Sequence, residues 1–310
     1  MVKQFILKFI GYLLAVALLL SGLLIFSYPL VSGYVSDRKT VTYIKSFENK
    51  KAVYTDESDD ESDDESENKK LLDGLYAQMQ KYNEDIYEDD QQGLCDAWSY
   101  EQASIDLSVY GIYDGAVGVL RIPKMGNLEM PIFLGASKAH MSRGAAQLGE
   151  TSLPIGGKNT NCVLAGHRGW NGARYFLDIE RLELGDMVYI ENFWDTLTYK
   201  VTDIKIIDPD DIEEILIQKN KDMVTLFTCH PYWASTYRYA VFCTRVDDKN
   251  SSEDSHTHTN PAESSTTTFK KTIEIDRTSQ NRIVFERLSY ILVPLFLVAL
   301  LVFLTKKRRN

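Results

Sequence analysis

A run of strand-favouring residues, Val224-Thr-Leu-Phe-Thr-Cys229, ends on a cysteine and turns through His-Pro-Tyr232. It leads into a second such run, Tyr237-Arg-Tyr-Ala-Val-Phe-Cys243. Folded as an antiparallel pair, the two runs bring Arg238 beside Cys229 at the mouth of the turn. A thiolate at a strand end next to a fixed guanidinium has the makings of a nucleophile with an oxyanion stabiliser.

A third group lies upstream, in Asn161-Cys-Val-Leu-Ala-Gly166-His167-Arg-Gly169, where another apolar run delivers a histidine into a glycine-flanked turn. Cysteine and histidine partners are normally distant in sequence and adjacent in space. Taken singly, a strand cysteine is a small core residue and a lone histidine is structural. The case rests on Cys229, His167 and Arg238 together.

These residues need a scaffold of strands. After Asp114, short apolar segments recur at 116–122, 130–134, 161–165, 186–191, 197–207, 223–229 and 237–246, separated by Gly, Pro and Asp clusters. The pattern predicts a mainly β domain, a closed barrel, with short helices near 137–146, 175–179 and 211–218. Before it, Leu71, Leu72, Leu75, Met79, Tyr82 and Ile86 recur at helical spacing. The reading divides the chain into a cytoplasmic tip and anchor (1–28), a disordered acidic stalk (29–70) and an N-terminal helical and lid extension (71–113). The barrel (114–248) follows, then a flexible linker (249–287), a second membrane helix (288–305) and a basic tail (306–310).

Residues 6–28 are almost wholly apolar and long enough to cross a bilayer, and no small-residue cleavage motif closes them, so an uncleaved anchor is expected. A second apolar run contains Pro294. Lys3 and Lys8 at the N-terminal side of one run, and Lys306-Lys-Arg-Arg309 after the other, place both termini in the cytoplasm and the domain outside. Of the formal charge of −10, nine acids sit in 56–67 without a base, leaving the remainder near neutral. Such a run repels itself and reads as a spacer; it lacks the glycine turn of a calcium loop. No basic patch suggests nucleic acid. His256 and His258 in a polar linker are too weak a signal for a metal, so neither metal nor cofactor is expected. Four cysteines invite disulfides, yet a nucleophilic Cys229 must stay reduced. That leaves Cys95, Cys162 and Cys243, an odd number, with pairing of Cys162 and Cys243 open.

Thr225-Leu-Phe-Thr-Cys229-x-Pro-Tyr-x5-Arg238 and Leu164-Ala-Gly-His167-Arg-Gly169 resemble the two active-site signatures of sortases, the cell-surface cysteine transpeptidases of Gram-positive bacteria. The resemblance spans about 71–246 and takes in Asp114-Gly-Ala-Val-Gly-Val-Leu-Arg-Ile-Pro123, Met130-Pro-Ile-Phe-Leu-Gly135 and Gly149-Glu-Thr-Ser-Leu-Pro154. It implies an eight-stranded barrel, with Cys229 as nucleophile, His167 as acid and base and Arg238 on the oxyanion. Ser235 and Tyr237 stand where Asn and His are common in that turn.

A C-terminal membrane segment and an N-terminal extension resemble the class C group, which polymerises pilins and often carries a lid with an Asp-Pro-aromatic motif. Asp96-Ala97-Trp98 is the comparable segment, with Ala for Pro. Asp96 would pair with Arg238 and Trp98 would cover the thiol. The implied partners are pilins or surface proteins bearing Leu-Pro-x-Thr-Gly-like (LPXTG-like) sorting signals, and an acceptor amine on a pilin lysine. The alternatives are a housekeeping-type sortase using a peptidoglycan amine, and an inert two-pass surface-binding protein.

Overall fold

The computed structural model describes residues 2–55, 63–94, 105–170, 172–232, 234–246 and 288. The expected lid residues Asp96 and Trp98, the linker at 249–287 and the second membrane segment at 288–305 lie outside them, residue 288 apart.

Eight strands close into a barrel: β1 (Ala116–Ile122), β2 (Leu128–Leu134), β3 (Ala145–Gln147), β4 (Thr160–Ala165), β5 (Met187–Asn192), β6 (Thr196–Ile207), β7 (Asp222–His230) and β8 (Tyr237–Arg245). Their spatial order is β1-β2-β3-β4-β7-β8-β6-β5, with β5 returning to β1. Neighbours are antiparallel except β2 with β3 and β4 with β7, which run parallel. Closure leaves no free sheet edge.

Two apolar clusters sandwich the wall formed by β4, β7 and β8. Cys162 and Leu164, Val224 and Leu226, and Tyr239, Val241 and Cys243 belong to the main cluster. Val163 and Ala165, Met223 and Phe227, and Ala240 and Phe242 belong to the second, which includes Ile215, Met141 and Leu94. Alternate residues of a strand face opposite sides, so this wall is buried on both. β5, by contrast, alternates buried and half-buried residues along its length.

The N-terminal region departs from expectation. Residues 29–55 do not form a disordered stalk but continue one helix, α1 (Val2–Thr55), and α2 begins at Asp63 and ends at Glu88. Ile44 and Phe47, one turn apart, are buried with Leu72, Leu75 and Met79 of α2 in the main cluster. Phe47 packs on Phe193 with ring centres 4.8 Å apart. This apolar pair is what an overall polar composition hid. Lys51 bonds Glu191 at 2.9 Å, and Arg121 gathers Glu48, Glu129 and Glu191, tying α1 to β1, β2 and β5. Asn83 of α2 accepts from Leu153 N at 2.7 Å. Among the described residues α1 is the one helix long and apolar enough to cross a membrane.

β3 is a further difference. Its first two residues fall at the end of a stretch expected to be helical; the helix there, α3, is confined to Lys138–Met141 and capped by the Ser137 hydroxyl. Two neighbouring strands supply the pairing that local propensity does not.

Candidate active site

Strand register assembles the three candidate residues. In the antiparallel β7–β8 pair Cys229 lies directly opposite Arg238. In the parallel β4–β7 pair Ala165 lies opposite Phe227. The pairing continues past the strand end: Gly166 N donates to Phe227 O at 3.0 Å, and the Thr228 hydroxyl to Gly166 O at 2.7 Å. His167 stands two residues beyond Ala165, and Cys229 two beyond Phe227, so both emerge at one rim. Alternation then fixes the face. Val163, Ala165, Phe227, Ala240 and Phe242 point away from the barrel interior; by the same alternation Cys229 and Arg238 fall on that side, and His167 follows in the turn just past β4.

Local packing refines these positions. A Cβ on Gly166 would sit 2.7 Å from the Phe176 ring, so only glycine lets the histidine turn pass there. The His167 ring stacks on Trp170 with centres 5.0 Å apart and meets Tyr175 edge-on at 6.2 Å. Burial holds its pKa below the ordinary histidine value. Cys229 is a half-buried free thiol. Arg238 is buried, and its Nη1 donates to the carbonyls of Ser235 at 3.1 Å and Tyr237 at 3.0 Å. The backbone oxygens of Ser235 and Tyr237, not their side chains, accept these two bonds, so the side-chain types at 235 and 237 do not set them. Ser235 nevertheless adopts φ +55°, a region asparagine tolerates better.

The other two described cysteines are unlike Cys229. Cys162 and Cys243 both pair with Val224, one from each side, so they stand two strand spacings apart. That is roughly 9–10 Å, beyond the reach of a disulfide. Both are free, and burial pushes both thiols far up. Among the described residues no group of three or more His, Cys, Asp or Glu is placed to hold a metal.

Four polar or aromatic residues behind this rim escaped sequence reasoning: Arg168, Glu180, His230 and Tyr239. The first three side chains are nearly or fully buried. Arg168 pairs with Glu180, and its Nη1 lies 2.6 Å from His230 Nδ1 and donates to Cys229 O at 3.3 Å. On the outside, α1 meets the loop after His167: a Cβ on Gly33 would lie 2.8 Å from Gly172 O, and Ser36 Oγ lies 3.4 Å from Tyr175 Oη.

The Sortase domain family model matches residues 120–246. A crystal structure of Streptococcus agalactiae sortase C1 is 30% identical, covers 66% of this chain and 95% of that one, and superposes with a TM-score of 0.53. Sortase C-1 of Streptococcus pneumoniae is 28% identical over 66% of this chain and 97% of its own, with a TM-score of 0.52. Sortase D of Bacillus subtilis is 31% identical over 134 residues, 42% of this chain and 64% of that relative, so the match leaves about a third of that relative's length uncovered.

Proposed function

Because the chain belongs to the sortase family, with class C sortases among its structural neighbours, we propose that it is a membrane-anchored cysteine transpeptidase acting on Leu-Pro-x-Thr-Gly-like sorting signals. The observation that carries this reading is the register that sets Cys229 opposite Arg238 and His167 at the end of the adjacent parallel strand.

The Cys229 thiolate attacks the Thr carbonyl of the signal, and a C–S bond forms as the carbonyl π electrons move to oxygen. Arg238, fixed by the two carbonyls, faces that developing charge. The His167 imidazolium protonates the leaving Gly nitrogen as the C–N bond breaks, and a thioacyl-enzyme remains. An acceptor amine then gives its proton to His167 and displaces the thiolate. A pilin lysine is the favoured acceptor, on the likeness to pilus-related sortase C; a peptidoglycan amine is the housekeeping alternative. Burial lowers His167, so the imidazolium is a minority form at neutral pH and the acid step favours mildly acidic solution. The apolar start of α1 serves as anchor, and with a second span at 288–305 the domain stands outside the membrane.

The test is mass spectrometry of the full chain incubated with a sorting-signal peptide and no acceptor. A thioacyl adduct on Cys229, absent from Cys229→Ala, is expected. An adduct on Cys162 or Cys243, or none at all, overturns the assignment.

A further inference from the structure

Each of the three candidate catalytic residues is followed by one that points the other way. Arg168 follows His167, His230 follows Cys229 and Tyr239 follows Arg238. Since alternate residues face opposite sides, the three successors turn into the barrel interior, on the side of Leu164, Leu226 and Val241. There they meet. The Arg168 guanidinium lies over the Tyr239 ring, 5.7 Å from its centre, and the His230 and Tyr239 ring centres are 5.6 Å apart. Arg168 Nη1 reaches His230 Nδ1 at 2.6 Å and the Cys229 carbonyl at 3.3 Å. Glu180, from the short helical turn Ile179–Arg181, pairs with Arg168, and its Oε1 lies 3.6 Å from His230 Nδ1.

We infer that Arg168, Glu180, His230 and Tyr239 are positioning residues that hold His167, Cys229 and Arg238 in mutual register from inside the barrel. The inference rests on the transpeptidase reading above. An always-charged guanidinium can only donate, so His230 Nδ1 accepts and the ring proton sits on Nε2. A buried cation is tolerated only when paired, and Glu180 supplies that pairing. The resulting clamp crosses all three strand ends that carry the chemistry. Strand pairing alone leaves the outermost residues free to fray, whereas a shared guanidinium bound to the Cys229 carbonyl and to His230 couples the β7 end to the turn that bears His167. Misplacement of reacting groups by about 1 Å costs on the order of 100-fold in rate.

The experiment compares wild type, His230→Leu, His230→Asn and the double variant Arg168→Met/Glu180→Leu in the full chain. Cleavage of a sorting-signal peptide, thermal melting and alkylation of Cys229 by a small neutral reagent are read in parallel. His230→Leu removes the acceptor and should lower kcat by about 10- to 100-fold with KM little changed. His230→Asn can present an oxygen near the Nδ1 position and should recover kcat to within several-fold of wild type. Replacing a whole buried ion pair with apolar residues is often neutral for stability, so the double variant should melt near wild type yet share the kcat loss. Alkylation of Cys229 should continue in all of them. If kcat is unchanged in His230→Leu, or falls only in proportion to loss of folded protein, the positioning role is wrong. If instead Cys229→Ala still cleaves the peptide, the transpeptidase reading itself fails, whatever His230 does.

Discussion

β4 and β7 run parallel and carry polar groups at both ends, and the two ends are built to opposite purposes. At their start Thr160 lies opposite Asp222, whose carboxylate accepts from Gly157 N and Tyr199 Oη, each at 2.9 Å, with Arg245 at 3.8 Å. Each strong donor there is matched, and the cluster closes on itself. At the other end the guanidinium of Arg238 is braced by carbonyls while the Cys229 thiol and the His167 ring stay half-buried. The same two strands thus end once in a closed polar lock and once in a half-buried thiol and imidazole beside a braced guanidinium. Burial of polar groups alone does not mark a reactive site; a thiol and an imidazole held half-buried beside a fixed guanidinium are the further sign.

The largest effect that would test this contrast comes from the open end. Cys229→Ala should abolish turnover, whereas Asp222→Asn should leave kcat within about two-fold of wild type; a peptide-cleavage assay decides both. Next, His167→Ala should lower turnover about 10²–10⁴-fold. Arg238→Lys should lower it about 10²–10³-fold, because a point charge cannot keep both carbonyl bonds and face an oxyanion. Near-normal rates in Arg238→Lys would make the arginine a structural charge like Arg245.

A third measurement concerns pH and stability. Burial, and then Arg168, lower the His230 pKa from 6.5 to about 4. As pH falls below 6.5 the unfolded chain takes up the proton first, so stability drops through the window from 6.5 to about 4. At 1.36 kcal/mol per pKa unit the loss is of order 3 kcal/mol. Arg168, Glu180 and Tyr239 face the ring and stay constant in the comparison. Denaturant melts of His230→Asn should therefore show a flatter acid slope than wild type, and equal slopes would contradict the buried neutral ring. The smallest effect belongs to the closed end: Asp222→Asn should cost about 1–3 kcal/mol, for donors left without an ionised partner, in the same melts.

Much of this was legible in the chain, for reasons that differ by element. The seven longer strands announce themselves through β-branched and aromatic runs, and Cys229, His167 and Arg238 through their strand-end positions. β3 did not, because Ala-Ala-Gln has no strand preference and is recruited by its neighbours. The helix through 29–55 was hidden because two apolar residues, Ile44 and Phe47, suffice to seat it. Glu180 looks like any surface acid in Asp-Ile-Glu-Arg, and only tertiary folding brings it to Arg168. His230 resembles a lone structural histidine, and its place is read from the parity of β7 rather than from its type.

The unbroken run of α1 has a mechanical consequence. Fifty-four residues at 1.5 Å each make a rod of about 80 Å, and its second half is bolted to the barrel by Phe47, Lys51 and the contact of Gly33 with the loop after His167. If its first half lies in a bilayer, no turn or loop interrupts the helix, and Pro29, where one backbone donor is missing, is the point at which it can bend. The rim that bears Cys229 would then ride at a height and compass bearing set by the helix as far as that proline. Inserting a single residue before Gly33 would turn that bearing by about 100°. What the cleft can reach would be decided by the handrail it is fixed to as much as by its own shape.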